Sequence, residues 1–566
     1  MNYDIILVHA PSVYDFRHRD DVLFAYLSNS DSVHVSSIFE MPPVGILSIK
    51  QHLQRCSFNV EFFNVASKML RDPDFDVEKF FEKVPSNYIG VDLHWLAHSH
   101  GALELLKLYK DIHPSSKTIV GGISSTYFHE ELIDYPQVDY VIRGYDTLLP
   151  IELLLNSNDL DENLIDVPNL TWKQRGQVIV NEMSHIPPSY SAAVDWRQIF
   201  TGDRQSITPY NIVIPQSGCE YNCKWCGGSS YFYKKYMASN KRVRKTPEIL
   251  RSELQSITGK SKASHTVTMI DFWHENSDLF NIATDIFRDE NIDCVHYMFN
   301  RLPTVEKCKS ISMPAKAIIE LSPDSHDQEI AKASGRGKYT MEEMEDFIDS
   351  LIDDVYSFEI YFMIGLPKQT IASIWETVNY CEHLLKKYRG KGVTPYICPM
   401  LPFLDPGSEI YDNPEKFGYK IFHHTLRDHY DALLSMNWKH RLNYETKWLS
   451  REELVDISYE SVRALTLLKH KYKMLPEGIA NSIVALIDST RVLLKEIDAY
   501  QEMSDEKLQE EAGFDLKKRI LEYNKKQFNM VRSQQRPVDL GFAKQQWFDT
   551  DEAFEKVLGE VGNDDA

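Results

Sequence analysis

The chain has 566 residues, room for roughly three to five domains. Hydrophobic residues make up 43% and charged residues 26%, an ordinary folded composition that excludes disorder, a collagen-like repeat and a small disulfide scaffold. Acidic residues outnumber basic ones by 83 to 62 for a net charge of −21, so neither nonspecific nucleic-acid binding nor an anionic membrane surface is favoured.

Residues 1–155 alternate short strand-like runs with amphipathic ones. The strand candidates are Tyr3–His9, Asn59–Phe63, Tyr88–Leu93, Thr118–Val120 and Tyr140–Ile142. Helical periodicity falls on Val44–Gln54, Gly101–Ile112 and Glu130–Asp134. This alternation predicts an α/β domain with a doubly wound parallel sheet. Ligands of such sheets bind at the carboxyl ends of the strands. The loops at Gly121-Gly122 and Arg143-Gly144 are therefore candidate binding elements.

Residues 156–205 break that rhythm. Asn and Asp cluster at Asn156–Asp161, and the strand-like Leu170–Val180 carries a central Gly, so a linker or small subdomain is expected. A second βα series fills 206–420. Its strand candidates are Asn211–Pro215, Thr266–Phe272, Asp293–Phe299, Ala317–Leu321, Phe358–Ile364 and Thr394–Met400. Helices are predicted over Thr246–Ser256, Leu279–Arg288, Met341–Leu351 and Thr370–Lys386. Six βα units predict an open or closed barrel whose site lies at the strands' carboxyl ends. Residues 421–566 have little strand signal and read as a mainly helical region, with helices at Arg451–His470, Ile479–Ala499 and Asp505–Phe528.

No apolar run approaches the ~20 residues of a membrane helix, and the chain opens on Met1 without a basic leader or cleavage site. A cytoplasmic protein is expected. Eight Cys are too few for a secreted disulfide framework.

Three of those Cys stand together in Cys219-Glu220-Tyr221-Asn222-Cys223-Lys224-Trp225-Cys226, directly after the first strand of the second series. Three thiolates from one tight loop suit three irons of a [4Fe–4S] cluster, because soft sulfur ligands favour iron–sulfur sites. With no fourth Cys in the loop, one iron is left open to a substrate or cofactor. Zinc, or three unrelated buried thiols, is the alternative. Zinc sites usually pair two such hairpins, and no second pair exists here.

This loop resembles the cluster motif of the radical S-adenosylmethionine enzymes, including an aromatic, Trp225, before the third Cys. The six βα units resemble that superfamily's partial (β/α)6 barrel. The resemblance implies that Cys219, Cys223 and Cys226 hold the cluster and that the open iron binds S-adenosylmethionine, whose reductive cleavage gives a 5′-deoxyadenosyl radical. It implies further cofactor contacts. Asp271 and Glu275, at the end of the second strand, match the position facing the methionine amino group. Asp324, in Leu321-Ser322-Pro323-Asp324-Ser325, matches the acid that faces the ribose, one methylene shorter than the family's Glu. Gly365, in Ile364-Gly365-Leu366-Pro367, matches the segment packed on adenine. Pro406-Gly407-Ser408 resembles the ending after the sixth strand.

Three fragments of the first domain resemble a cobalamin-binding domain: Met41–Leu47, Ile119–Ser124 with Gly121 and Gly122, and Val138–Gly144. Their glycines would let a macrocycle or nucleotide tail approach the backbone. Asp92-Leu93-His94 looks like the box that supplies an axial His to cobalt. It ends the third strand, however, whereas the box belongs after the first, where His9-Ala10-Pro11-Ser12 does not form it. His94 is therefore expected to line the site without ligating cobalt.

The family resemblance as a whole implies a cobalamin-dependent radical enzyme that methylates an unactivated carbon of a small metabolite or peptide. An electron donor such as flavodoxin or ferredoxin would be needed. Alternatives are a radical cyclase or rearrangement enzyme and, from another class, a corrin- or cluster-binding sensor. After the barrel, Trp438–Thr446 reads as a surface loop with a partly buried Trp in preference to a pocket cap. His423, His424 and His429 are expected to be solvated or satisfied, with no metal. Cys56, Cys294, Cys308, Cys381 and Cys398 are expected to be buried thiols.

Overall fold

The computed structural model describes residues 3–25, 43–144, 146–157, 159–198, 210–239, 241–258, 266–270, 277–289, 294–299, 301–304, 317–400 and 404–533. Asp271, Glu275 and Cys308 lie outside the described residues.

The first sheet has seven strands: β1 (Tyr3–His9), β2 (Val60–Asn64), β3 (Ser86–Asp92), β4 (Lys117–Gly121), β5 (Tyr140–Ile142), β6 (Leu170–Gln174) and β7 (Gln177–Val180). Their order is β2-β1-β3-β4-β5-β6-β7. The first five run parallel. Ile5 to Val8 are almost fully buried, as a strand covered on both faces must be. Because β2 lies on one side of β1 and β3 on the other, the strand order reverses at β1, which opens a crevice at the ends of β1 and β3.

The stretch read as a linker or small subdomain contributes β6 and β7, a hairpin that extends this sheet antiparallel to β5. The Gly within it is the turn. Arg175 at φ 50° and Gly176 at φ 83° supply the two left-handed residues that a tight two-residue hairpin needs.

The second sheet contains β8 (Tyr210–Val213), β9 (Thr266–Ile270), β10 (Cys294–Phe299), β11 (Ala317–Asp324), β12 (Ser357–Ile364) and β13 (Val393–Pro399). All six are parallel and neighbour one another in chain order. Alternation assigns the two faces. Phe358, Ile360, Phe362 and Ile364 of β12 join the core with Phe347, Ile348, Val378 and Leu384 of the covering helices. Glu359, Tyr361 and Met363 point to the opposite, inner face. The helix Met341–Leu351 starts where predicted because Thr340 and Glu343 form a capping box.

The C-terminal helices Arg451–Lys471, Glu477–Gln501 and Glu506–Ser533 follow a two-stranded antiparallel ladder, β14 (Tyr419–Ile421) with β15 (Tyr444–Thr446). The last helix reaches back to the first domain. Asn524 accepts from Phe24 N–H at 2.9 Å and donates to the Val22 carbonyl at 2.8 Å. Among the described residues no helix is long and apolar enough to cross a membrane.

Candidate active site

The three-Cys loop starts at Gly218, φ 86°, after a short ladder between Gln216-Ser217 and Val243-Arg244. Cys226 N–H donates to the Cys223 carbonyl at 3.1 Å, and Gly228 N–H to Cys226 Sγ at 3.3 Å. None of the three thiols is in a disulfide. They converge: Cys223 and Cys219 both act on Cys226, whose thiol is pushed well above the ordinary value by burial, then by Asp405 and these neighbours. A thiol whose ionisation is opposed by two neighbouring cysteines suits a cationic cluster, which stabilises all three thiolates.

Two other strand-end loops brace the Cys loop. From the β11 side, the Ser334 carbonyl accepts from Lys224 N–H at 2.8 Å. Gly335, φ 90°, lies so close that a Cβ there would sit 2.2 Å from the Asn222 carbonyl oxygen. Asp324 is 1% exposed, accepts from Trp225 Nε1–H at 3.2 Å and pairs with Arg336 Nε at 3.3 Å. Burial raises the Asp324 carboxyl, while Arg336 and Trp225 counteract it. Burial opposes the Arg336 charge, but the neighbouring Asp324 outweighs it and keeps the guanidinium charged. Asp324 is thus a brace between the Cys loop and β11. Ser325, also buried, accepts from Asp327 N–H at 3.1 Å.

From the β13 side, Asp405 Oδ2 accepts from Gly227 N–H at 2.8 Å. Burial pushes its carboxyl up to about 6, against that hydrogen bond. Glu409 accepts from Asn222 at 2.8 Å and pairs with Lys224. Gly407, φ 83°, lets the turn pack against Phe232 and Tyr127, and Tyr127 belongs to the first domain. Asp405 and Arg336 went unnoticed in the sequence. A carboxylate directly before Pro406-Gly407, in a loop at the sheet's working edge, was the available signal.

Gly365 lies against the β14–β15 ladder. Its missing Cβ makes room for Tyr444, whose hydroxyl would lie 2.3 Å from a Cβ built there, and its carbonyl accepts from the Tyr419 hydroxyl at 2.6 Å. The space that glycine leaves is filled by Tyr444 of β15.

Trp438–Thr446 is also no surface loop. Trp438 is 1% exposed and donates to the Tyr459 hydroxyl at 3.0 Å. Asn443 exchanges two 2.8 Å hydrogen bonds with the Leu404 backbone, next to Asp405. His429 is buried, with Nδ1 2.7 Å from the Thr425 carbonyl and Nε2 3.2 Å from Asn443. Cys56 is only partly buried, whereas Cys381 and Cys398 are buried.

On the inner face of the second sheet, His296, Glu320 and Glu359 come together. His296 Nε2 lies 3.3 Å from Glu320 Oε2 and 3.9 Å from Glu359 Oε2. Burial pushes the Glu359 carboxyl up to about 7; His296 pulls it down and Glu320 adds to the rise. The Tyr361 hydroxyl donates to Glu359 at 3.1 Å. Lys469, from the helix Arg451–Lys471, sits 4.0 Å above the Tyr396 ring, and Tyr396 stacks on Tyr361.

At the crevice of the first sheet, Asp92 ends β3 and His9 ends β1. An ionised carboxylate only accepts, so Asp92 takes hydrogen bonds from His9 Nδ1–H at 2.9 Å and from His94 Nδ1–H at 3.0 Å. Burial opposes the Asp92 charge, but His9 and His94 outweigh it and hold the carboxyl well below the usual carboxylate range. His98 packs on His9 with ring centres 4.9 Å apart, and burial lowers its imidazole to about 3. Gly122, φ 124°, abuts the backbone of His94: a Cβ there would lie 2.5 Å from the His94 nitrogen. Gly121 is different, with no atom closer than 3.8 Å to a built Cβ, so its backbone is the open cradle at this edge. Gly144, φ 104°, donates its N–H to Thr126 Oγ1 at 3.0 Å.

Residues 33–153 match the B12 binding domain family. The whole fold is similar to the radical S-adenosylmethionine methyltransferase TsrM from Kitasatospora setae, solved with cobalamin and a [4Fe-4S] cluster bound. The TM-score is 0.56 at 11% identity, covering 87% of this chain and 99% of that one. Residues 33–153 are thus a B12-binding domain, in a chain whose fold resembles that of a radical S-adenosylmethionine methyltransferase. Among curated relatives of this chain, an uncharacterized methyltransferase of Pyrococcus horikoshii is 22% identical over 64% of this chain and 74% of its own length. The anaerobic magnesium-protoporphyrin IX monomethyl ester cyclase of Rubrivivax gelatinosus is 22% identical over 56% of this chain and 57% of its own.

Proposed function

We propose that this chain is a cytoplasmic, cobalamin-dependent radical S-adenosylmethionine enzyme that methylates an unactivated carbon of a small metabolite or peptide. The convergence of Cys219, Cys223 and Cys226 at the carboxyl edge of the second sheet carries the reading. When bound, the cluster with S-adenosylmethionine supplies a hydrogen-abstracting radical, and cobalamin carries the methyl group.

The chain's own residues do the positioning. In this reading residues 1–155 hold the corrin, with Gly121 as the open backbone and Gly122 and Gly144 shaping the loops. Residues 206–420 form a partial (β/α)6 barrel whose lumen is the inner sheet face, with residues 156–205 between the two. Asp324 and Arg336 fix Trp225 and the Cys loop, and Asp405 fixes Gly227, so the thiols stay aligned without reorganisation. Asp271, Glu275 and Ser325 contact the S-adenosylmethionine. Glu320, Tyr361 and Met363 face the substrate, while Lys469 and Tyr444 from the region after residue 420 close the lumen. A flavodoxin or ferredoxin supplies the electron.

Similarity to the Rubrivivax cyclase supports a second reading, radical ring closure. Anaerobic turnover with reductant, cobalamin and S-adenosylmethionine separates them. Methylation gives S-adenosylhomocysteine and 5′-deoxyadenosine in equal amounts with a product one methyl group heavier. Deoxyadenosine alone, with no methylated product, rejects methylation.

A further inference from the structure

The first domain carries a second group of metal-ligating side chains. His52 and Cys56 stand four residues apart at the end of the helix Val44–Arg55, a spacing that puts both on one face. Glu152 comes from the neighbouring helix Leu148–Asn156. His52 Nε2 lies 2.8 Å from Glu152 Oε2 and 3.8 Å from Cys56 Sγ, and all three ligand atoms fall within 4.8 Å of one another. A tetrahedral zinc with bonds of about 2.0 Å to N or O and about 2.3 Å to S places its ligand atoms about 3.3–3.6 Å apart. The observed separations bracket that range, so side-chain shifts of well under an ångström would close the site.

The setting suits a cation. The side chains of His52 and Glu152 are 22% and 27% exposed, which leaves a path from solvent and room for a water as fourth ligand. Asp146, two residues before the Leu148–Asn156 helix, is buried, and its Oδ2 has no hydrogen-bond partner. The group is also remote from the cofactor crevice. The Val44–Arg55 helix ends just before β2 begins, so Cys56 sits at the opposite edge of the sheet from Gly121 and Asp92.

We propose that His52, Cys56 and Glu152 form a zinc site that ties the Val44–Arg55 helix to the Leu148–Asn156 helix. Soft thiolate, imidazole and carboxylate together select zinc over magnesium or calcium. Binding forms one zinc–sulfur bond and releases the thiol proton to solvent.

The test uses full-length, iron-loaded protein, in which the three-Cys loop is already filled. After exposure to equimolar zinc and desalting, elemental analysis should find about one zinc per chain. Cys56→Ser and His52→Ala should each weaken zinc retention at least about tenfold, with iron content and far-ultraviolet circular dichroism unchanged. Cobalt(II) in place of zinc should give a thiolate charge-transfer band that Cys56→Ser abolishes. No retained zinc in the parent, or equal zinc in the parent and both variants, would overturn the proposal.

Discussion

The Cys loop and the crevice of the first sheet are built in opposite ways. The loop's chemistry is local: three thiols within eight residues, brought together by turns such as Cys226 N–H to the Cys223 carbonyl. The crevice is assembled by topology. His9 and Asp92 are 83 residues apart and meet only because β1 and β3 are parallel neighbours. Yet the local site depends on distant braces, since Asp324, Arg336 and Asp405 arrive from two other strand ends. A sequence motif therefore names the ligands, while the fold supplies what holds them.

The largest effect should follow from breaking the local site. Cys223→Ala should lose the cluster and lower turnover by roughly 10³-fold or more, checked by iron analysis and product formation. Breaking the assembled site should cost less, and two adjacent glycines distinguish packing from ligand access. Gly122→Ala forces a Cβ onto the His94 backbone at a left-handed residue and should destabilise the fold by about 2–4 kcal/mol, read as a lowered melting temperature. Gly121→Ala meets only an atom at 3.8 Å, so stability should change by less than about 1 kcal/mol while cobalamin retention falls.

The buried Glu359 gives a pH signature. Its folded carboxyl, near 7, lies above its ordinary value of 4.5, so between those values the folded state binds the extra proton. Stability should then fall as pH rises from about 4.5 to 7, by up to about 3 kcal/mol. Glu359→Gln should flatten that slope, with melting temperatures matching the parent at pH 5 and exceeding it at pH 8. The smallest effect should come from His94→Ala. If His94 lines the crevice without ligating cobalt, the spin-resonance spectrum of bound cob(II)alamin should keep its hyperfine pattern; loss of a nitrogen splitting would reverse that assignment.

Much of the fold was legible because both sheets are built from contiguous strand-and-helix units with strong periodicity. The predicted helix Met341–Leu351 matches end for end, and the strands of both series fall within a few residues of their predicted places. What was not legible depends on contacts across the chain. Nothing local says that Tyr444 fills the space beside Gly365, that Gly122 packs on His94 while Gly121 stays open, or that Trp438 is a core residue. The β6–β7 hairpin was visible as a strand with a Gly turn, but its place on the edge of the first sheet is set by β5. Asp405 was hidden because its role lies in an amide 178 residues away.

The most direct test of the central claim is the spin-resonance spectrum of the anaerobically reconstituted, reduced protein before and after S-adenosylmethionine is added. A cluster held by Cys219, Cys223 and Cys226 with one open iron predicts a [4Fe–4S]⁺ signal whose g-values shift on addition. A signal that S-adenosylmethionine leaves unmoved, or zinc in the loop with no cluster at all, would contradict the account.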